Sequence, residues 1–255
     1  MTDSDSLSLD AKLNVLIRVG VMMLENGAAT YRVEETISRL GRAIGLTAVE
    51  SFATPTGLIL EGLSAEGRLT RVRRVTNMGV NMDRLALIGN LSRDAAAGLL
   101  TQQQIVARLE EIEQHEGVYS NWLIVLGVSL ACGAFALLFG GGWLEFAATI
   151  VGAALAMLIR IALRPARLMP LMTTATAAFA ATAASSIACR SLVCNQPDIA
   201  AVAAVLQLVP GVPLVTSVID LATGDIISGI SRGAYAILIA FGIGLGMLLF
   251  LVWGL

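Results

Sequence analysis

Five apolar stretches of about twenty residues each dominate the second half of the chain, and they leave it few folds. They run over about 121–139, 144–163, 168–189, 199–219 and 233–255. Only the second carries charge, with Glu145 and Arg160 near its two ends. Roughly twenty apolar residues is the length that crosses about 30 Å of hydrocarbon as a helix. A buried strand is shorter, and a core helix of a soluble protein shows a polar stripe that these stretches lack. The sequence therefore predicts five transmembrane helices.

Charge divides the chain near Gly117. Residues 1–117 hold 12 Lys/Arg and 15 Asp/Glu, whereas residues 118–255 hold 5 Arg, no Lys and 4 acids. The pattern predicts two domains, 1–117 in water and 118–255 in lipid. A net charge of −2 gives no reason to expect nucleic acid as a partner. Met1 to Asp10 is polar and acidic, without the basic and apolar regions of a signal peptide. Arg160, Arg164 and Arg167 lie between the second and third stretches, and Arg232 lies between the fourth and fifth. Gly140 to Trp143, between the first and second, has no basic residue. The positive-inside rule then predicts a cytoplasmic N-terminus and an outer C-terminus. Arg160 is expected to snorkel to the cytoplasmic boundary.

The first domain reads as a small α+β unit of order αα-βββ-αα, placed ahead of an all-α bundle of five membrane helices. Leu9 to Glu25 has helical periodicity and stops at Asn26-Gly27. Thr30 is positioned to cap a second helix, whose outer face carries Arg32, Glu35 and Arg39. Strand-like runs follow over 47–52, 56–63 and 69–75, separated by Pro55 and by Ser64 to Gly67. Arg68, Arg71, Arg73 and Arg74 form a basic patch on the last run, either a solvated face or a contact for anionic headgroups. Two helices over about 82–97 and 102–114 complete the domain.

The sharpest chemical feature is Gln207-Leu-Val-Pro210-Gly211-Val-Pro213 in the fourth stretch. Proline removes a backbone donor and glycine adds freedom, so this helix should kink or break. Freed backbone groups inside a membrane must be buried or face a wet cavity, and transporters build substrate sites on such breaks. A packed proline kink is the plainer alternative. Asp220, Gly224 and Asp225 with Arg232 form a short polar turn after the stretch, suited to helix capping, an ion pair or a gate. Thr173, Thr174 and Thr176 either line a polar path or serve helix packing. One histidine and three cysteines without a CxxC pair leave no metal site, and no cofactor is implied. GxSxG, P-loop and HExxH patterns are absent, which argues against an enzyme. A membrane-tethered enzyme or signalling module stays as the alternative to a transporter.

Residues 25–36, read as Glu25-Asn-Gly-Ala-Ala-Thr30-Tyr-Arg32-Val-Glu34-Glu35-Thr, resemble the signature that opens the cytoplasmic domain of threonine/serine exporter (ThrE-like) proteins. Phe52-Ala-Thr-Pro55-Thr56, Leu208-Val-Pro210-Gly211-Val-Pro213 and Asp220-x-x-x-Gly224-Asp225 resemble further motifs of the family. The resemblance implies export of a small polar metabolite, threonine and serine or a dicarboxylate such as succinate. The five-span shape resembles the larger subunit of the family's split two-component form, which implies a second, small five-span membrane subunit as partner. A homo-oligomer would also supply two bundles. An anionic substrate would suit the positive end of a half-helix beginning after Pro210.

Overall fold

The computed structural model describes residues 7–115, 117, 119–166 and 168–253; Arg167 and Glu116 lie outside them. The chain is mostly helical, with one small sheet near its N-terminus. It divides into two compact units. One holds residues 1–117 together with 212–233, and the other holds 118–211 together with 234–255.

In the first unit α1 (Leu9–Glu25) is the central element. Leu13, Leu16 and Val19 are fully buried along it. They pack with Val33, Ile37 and Leu40 of α2 (Thr30–Ala43), and with Ile88 and Leu91 of α3 (Met82–Ala96). Ile105 and Leu109 of α4 (Gln102–Gln114) close the same core. α4 starts with the capping box that Thr101 and Gln104 allow. α1 ends as its sequence predicts, at Asn26, and the following Gly27 has φ +90°. Only glycine takes that conformation without strain.

The sheet is antiparallel, in the order β1 (Ala48–Thr54), β2 (Gly57–Ser64), β3 (Gly67–Arg74). Pro55-Thr56 makes the first hairpin turn and Ala65-Glu66 the second, with Thr54 opposite Gly57 and Ser64 opposite Gly67. Leu58 and Leu60 alternate inward from β2 onto the core, as a half-buried strand requires. The arginines of β3 are exposed on an edge strand; Arg68 pairs with Glu61 at 3.2 Å and Arg71 pairs with Asp10.

The first unit also takes in α9 (Gly211–Thr223) and the first two turns of α10 (Ile226–Trp253). The two helices are joined at Gly224, φ +93°, and Asp225. A side chain at Gly229 would meet Leu221 at 2.5 Å, so α9 and α10 cross closely there. Ser217 Oγ donates to Gly229 O at 2.7 Å. Residues 220–232, predicted to be a short turn, are thus the end of one helix, a two-residue link and the start of the next.

The second unit is built from α5 (Asn121–Leu138), α6 (Trp143–Leu163), α7 (Pro170–Leu192), α8 (Pro197–Val205) and the rest of α10. Its interior is small rather than bulky. Ala148, Ala153 and Ala156 of α6, Ala177, Ala178 and Ala181 of α7, and Ala203 and Ala204 of α8 are fully buried. Such residues let helix backbones approach closely where lipid supplies no hydrophobic drive. Gly152 of α6 is the extreme case, since a Cβ there would sit 2.6 Å from Ala181 O.

Four helices among the described residues, α5, α6, α7 and α10, are long and apolar enough to cross a membrane. The fourth predicted stretch is not one helix. It runs as α8, a 3-10 turn at Leu206–Leu208, an extended Val209 and then α9. Counted as one broken span, the bent pair makes a fifth. The residue before a proline is driven out of the helical region, and Pro210 does this to Val209, at φ −60° and ψ 127°. The last stretch begins seven residues earlier than predicted, at Ile226 rather than Gly233.

The Gly152 contact predicts that Gly152→Ala will lower the melting temperature in mild detergent, since a backbone carbonyl cannot move aside as a side chain would. Overpacking of this kind costs about 1–3 kcal/mol. Gly127→Ala, where a Cβ meets nothing within 4 Å, is the matched control and should leave melting unchanged.

Candidate functional site

Three of the four family-like motifs of the sequence, at 25–36, 52–56 and 220–225, meet inside the first unit. α2 begins at Thr30, and its N-cap, Ala29, has no side chain to offer the free amides. The cap comes from elsewhere: Asp220 Oδ1 accepts from the Thr30 N–H at 2.8 Å, across 190 residues of sequence. Thr30 itself, expected to cap α2, instead donates its backbone amide, and its buried Oγ1 has no partner among the described residues. A carboxylate at a helix N-terminus meets both free N–H donors and the positive end of the helix dipole.

Asp220 is fully buried, and Arg232, 7% exposed, lies beside it. Arg232 Nε sits 2.9 Å from Asp220 Oδ2, a charge contact in which the N–H is not aligned on the oxygen. A terminal guanidinium nitrogen of Arg232 donates to Ala28 O at 2.7 Å. One ion pair therefore holds both the carbonyl and the amide that flank the start of α2.

The strand motif joins the same place. Ser228 Oγ lies 3.5 Å from Ala53 O, and Ala53 N–H donates to Glu34 Oε1 at 3.0 Å. Glu34 faces Asp225, whose Oδ2 accepts from Thr223 Oγ1 at 3.3 Å. Burial pushes the Glu34 carboxyl above its usual range, the Ala53 amide works against the rise, and Asp225 adds to it. Gly224 supplies the turn that lets Asp225 N reach Asp220 O at 2.8 Å. Pro55 is buried in the β1–β2 turn, and Thr56 O accepts from Val75 N. Arg32 and Glu35 are not drawn in: both are exposed on the outer face of α2, and Glu35 pairs with Arg39.

In the second unit Gln207 occupies the 3-10 turn just before the break. Its Nε2 donates to Ala153 O at 2.8 Å and to Ala204 O at 3.3 Å. Its buried Oε1 has no partner among the described residues. A cavity of about 280 Å³ opens beside it, lined by Val128, Ala131, Cys132, Phe135, Met157, Arg160, Leu206 and Gln207. Arg160, expected to snorkel away, contributes to this wall. Thr173 and Thr176 do not; each places its hydroxyl on its own helix, at Met169 O and Met172 O. Gly211 has open space where a Cβ would stand, and Pro213 lies in the first turn of α9, where a missing N–H costs nothing.

Sequence reasoning missed Ser228 and Arg160 as site residues, and it read Thr30 only as a cap, while the ion pair it offered for Arg232 is made with Asp220. Arg232 had a readable signal, since it is the only charge within the 28 residues of α10. The Ala28 and Ala53 backbone groups had none.

Four long apolar helices and a bent helix pair are those of a multi-pass membrane protein. The chain belongs to the threonine/serine exporter family, ThrE, described as "Putative threonine/serine exporter", which it matches over residues 14–253. It is 34% identical over 247 residues to the "Probable succinate transporter subunit YjjP" of Escherichia coli, covering 96% of each chain. It is 32% identical over 254 residues to the Klebsiella aerogenes protein of the same name, covering 99% of this chain and 98% of that one. The "Probable threonine/serine exporter" of Mycobacterium tuberculosis is 27% identical over 252 residues, which are 96% of this chain but 46% of that protein. No solved structure matches.

Two outcomes are expected at this site. Breaking a buried ion pair typically costs about 3–5 kcal/mol, so Asp220→Ala or Arg232→Ala should each sharply increase proteolysis of the first unit. The double variant should lose less than the sum of the two, because no lone charge is left. Glu34 gives a pH signature. Its folded-state pKa is raised, so its contribution to stability is complete below the unfolded value of about 4.3 and is lost as pH rises through the folded value. Glu34→Gln should flatten that part of the curve of melting temperature against pH.

Proposed function

We propose that this chain is one subunit of a bacterial inner-membrane exporter for small polar carboxylic acids, threonine and serine or a dicarboxylate such as succinate. Family membership supports export. The observation that carries the mechanism is the interrupted helix at Gln207 to Gly211, with a cleft and an unpaired buried amide oxygen beside it. Substrate passes this cleft. Irregular backbone at membrane depth is tolerated where it lines a path, which is the use transporters make of it.

The Asp220–Arg232 junction acts as the gate element. It ties the start of α2 to α9, and α9 begins only four residues after Gln207. A shift at the junction is thereby passed along a short stretch of chain to the break. Residues 1–117 lie in the cytoplasm and the C-terminus outside, a placement supported by Arg160 and Arg164 at the α6–α7 connection and by the lack of any basic residue at Gly140 to Trp143.

Two relatives that match this chain nearly end to end carry the word subunit in their names, and a longer relative aligns over less than half of its length. Both facts support a second membrane subunit that completes the transporter. Cells preloaded with labelled threonine, serine or succinate test the proposal. Efflux should rise when the chain is expressed with its partner and should fall back when either is missing. Equal efflux of all three acids with and without the pair would rule out export of these substrates.

A further inference from the structure

The cleft beside Gln207 has a donor and acceptor pattern that restricts its ligand. Both N–H groups of the Gln207 amide are used, on Ala153 O and Ala204 O. Flipping the amide would press Oε1 against two carbonyl oxygens, so the orientation is fixed by its neighbours. What the residue leaves free is Oε1, a buried acceptor. Across the same cavity stands Arg160, exposed in the last turn of α6, which makes no hydrogen bond or ion pair with a described residue, in a wall otherwise formed by Val128, Ala131, Cys132, Phe135, Met157 and Leu206. A cation without a partner in a mostly apolar wall is a place for an opposite charge. An unmatched buried acceptor is expensive, by about 1–3 kcal/mol.

We propose that this cleft binds a small organic acid that presents one carboxylate to Arg160 and one N–H or O–H donor to Gln207 Oε1. The inference rests on the reading of the cleft as part of the substrate path, and it narrows the substrate to a species. A zwitterionic amino acid qualifies, through its ammonium or a side-chain hydroxyl. A dicarboxylate qualifies only with one carboxyl protonated, because a second carboxylate would face the lone pairs of Oε1. The fully ionised dianion is excluded. Arginine matches a carboxylate with two parallel N–H groups, which lysine cannot copy.

The test uses vesicles holding the full chain with its partner subunit, and three probes: threonine, serine and succinate. Transport is measured at about pH 5, where a dicarboxylate retains a proton on a fair share of molecules, and at about pH 8, where it does not. If the ligand is an amino acid, threonine or serine is carried at both values. If it is a dicarboxylate, the apparent affinity for total succinate falls by at least about tenfold at the higher pH. Arg160→Gln should weaken the apparent affinity for the carried acid by at least about tenfold, and Arg160→Lys should recover only part of it. Gln207→Met, which keeps the bulk but loses the acceptor, should raise KM more than it lowers kcat. Melting temperature in detergent separates these effects from misfolding, and Arg160 variants should melt like the parent. Wild-type transport by Arg160→Gln overturns the cleft assignment and leaves the exporter standing. Succinate affinity that holds or rises at about pH 8 overturns the donor requirement. No flux of any probe overturns the exporter reading itself.

Discussion

A carboxylate buried at the start of a helix decides how the N-terminal residues are organised. α2 presents free amide groups behind an alanine N-cap that cannot satisfy them. Water cannot either, since Ala28, Ala29 and Thr30 are all buried. Asp220 answers that need, and a buried carboxylate needs a cation in turn, which Arg232 supplies. Neither charge is tolerable alone away from water. The result is a mutual dependence, and α9 with the first turns of α10 groups with residues 1–117.

The same dependence accounts for the spacing of the motifs. Gly27 turns the chain out of α1 so that the Ala28 carbonyl faces Arg232. Gly224 turns it between α9 and α10 so that Asp225 lies near Glu34. Glu34 holds the Ala53 amide while Ser228 lies against the Ala53 carbonyl. Burial disfavours ionisation of Glu34, and the nearby Asp225 adds to that. Both effects favour the protonated form of Glu34.

Much of this architecture was legible because hydrocarbon thickness leaves little choice. Helices α5, α6 and α7 lie close to the lengths that apolar composition predicts, and Asn26-Gly27 and Thr101 end and start helices as expected. The rest was hidden for physical reasons. Thr30 looked like a cap because local spacing cannot show a carboxylate 190 residues away. Arg232 could be read as an ion-pair partner, but not as a buried one, because a sequence does not report burial. Pro210 announced a break, but not that the chain after it packs with the N-terminal residues. Arg160 was read only for its place near a span end, since only the fold puts it on one cleft with Gln207.

The central claim is that the Asp220 carboxylate holds the start of α2, and amide hydrogen exchange reads this at the bond itself. In the intact protein the Thr30 amide should be among the slowest to exchange in α2, and Asp220→Ala should speed exchange at residues 30–33 by at least about tenfold while the core of α1 stays protected. Unchanged exchange at Thr30 in that variant would contradict the account.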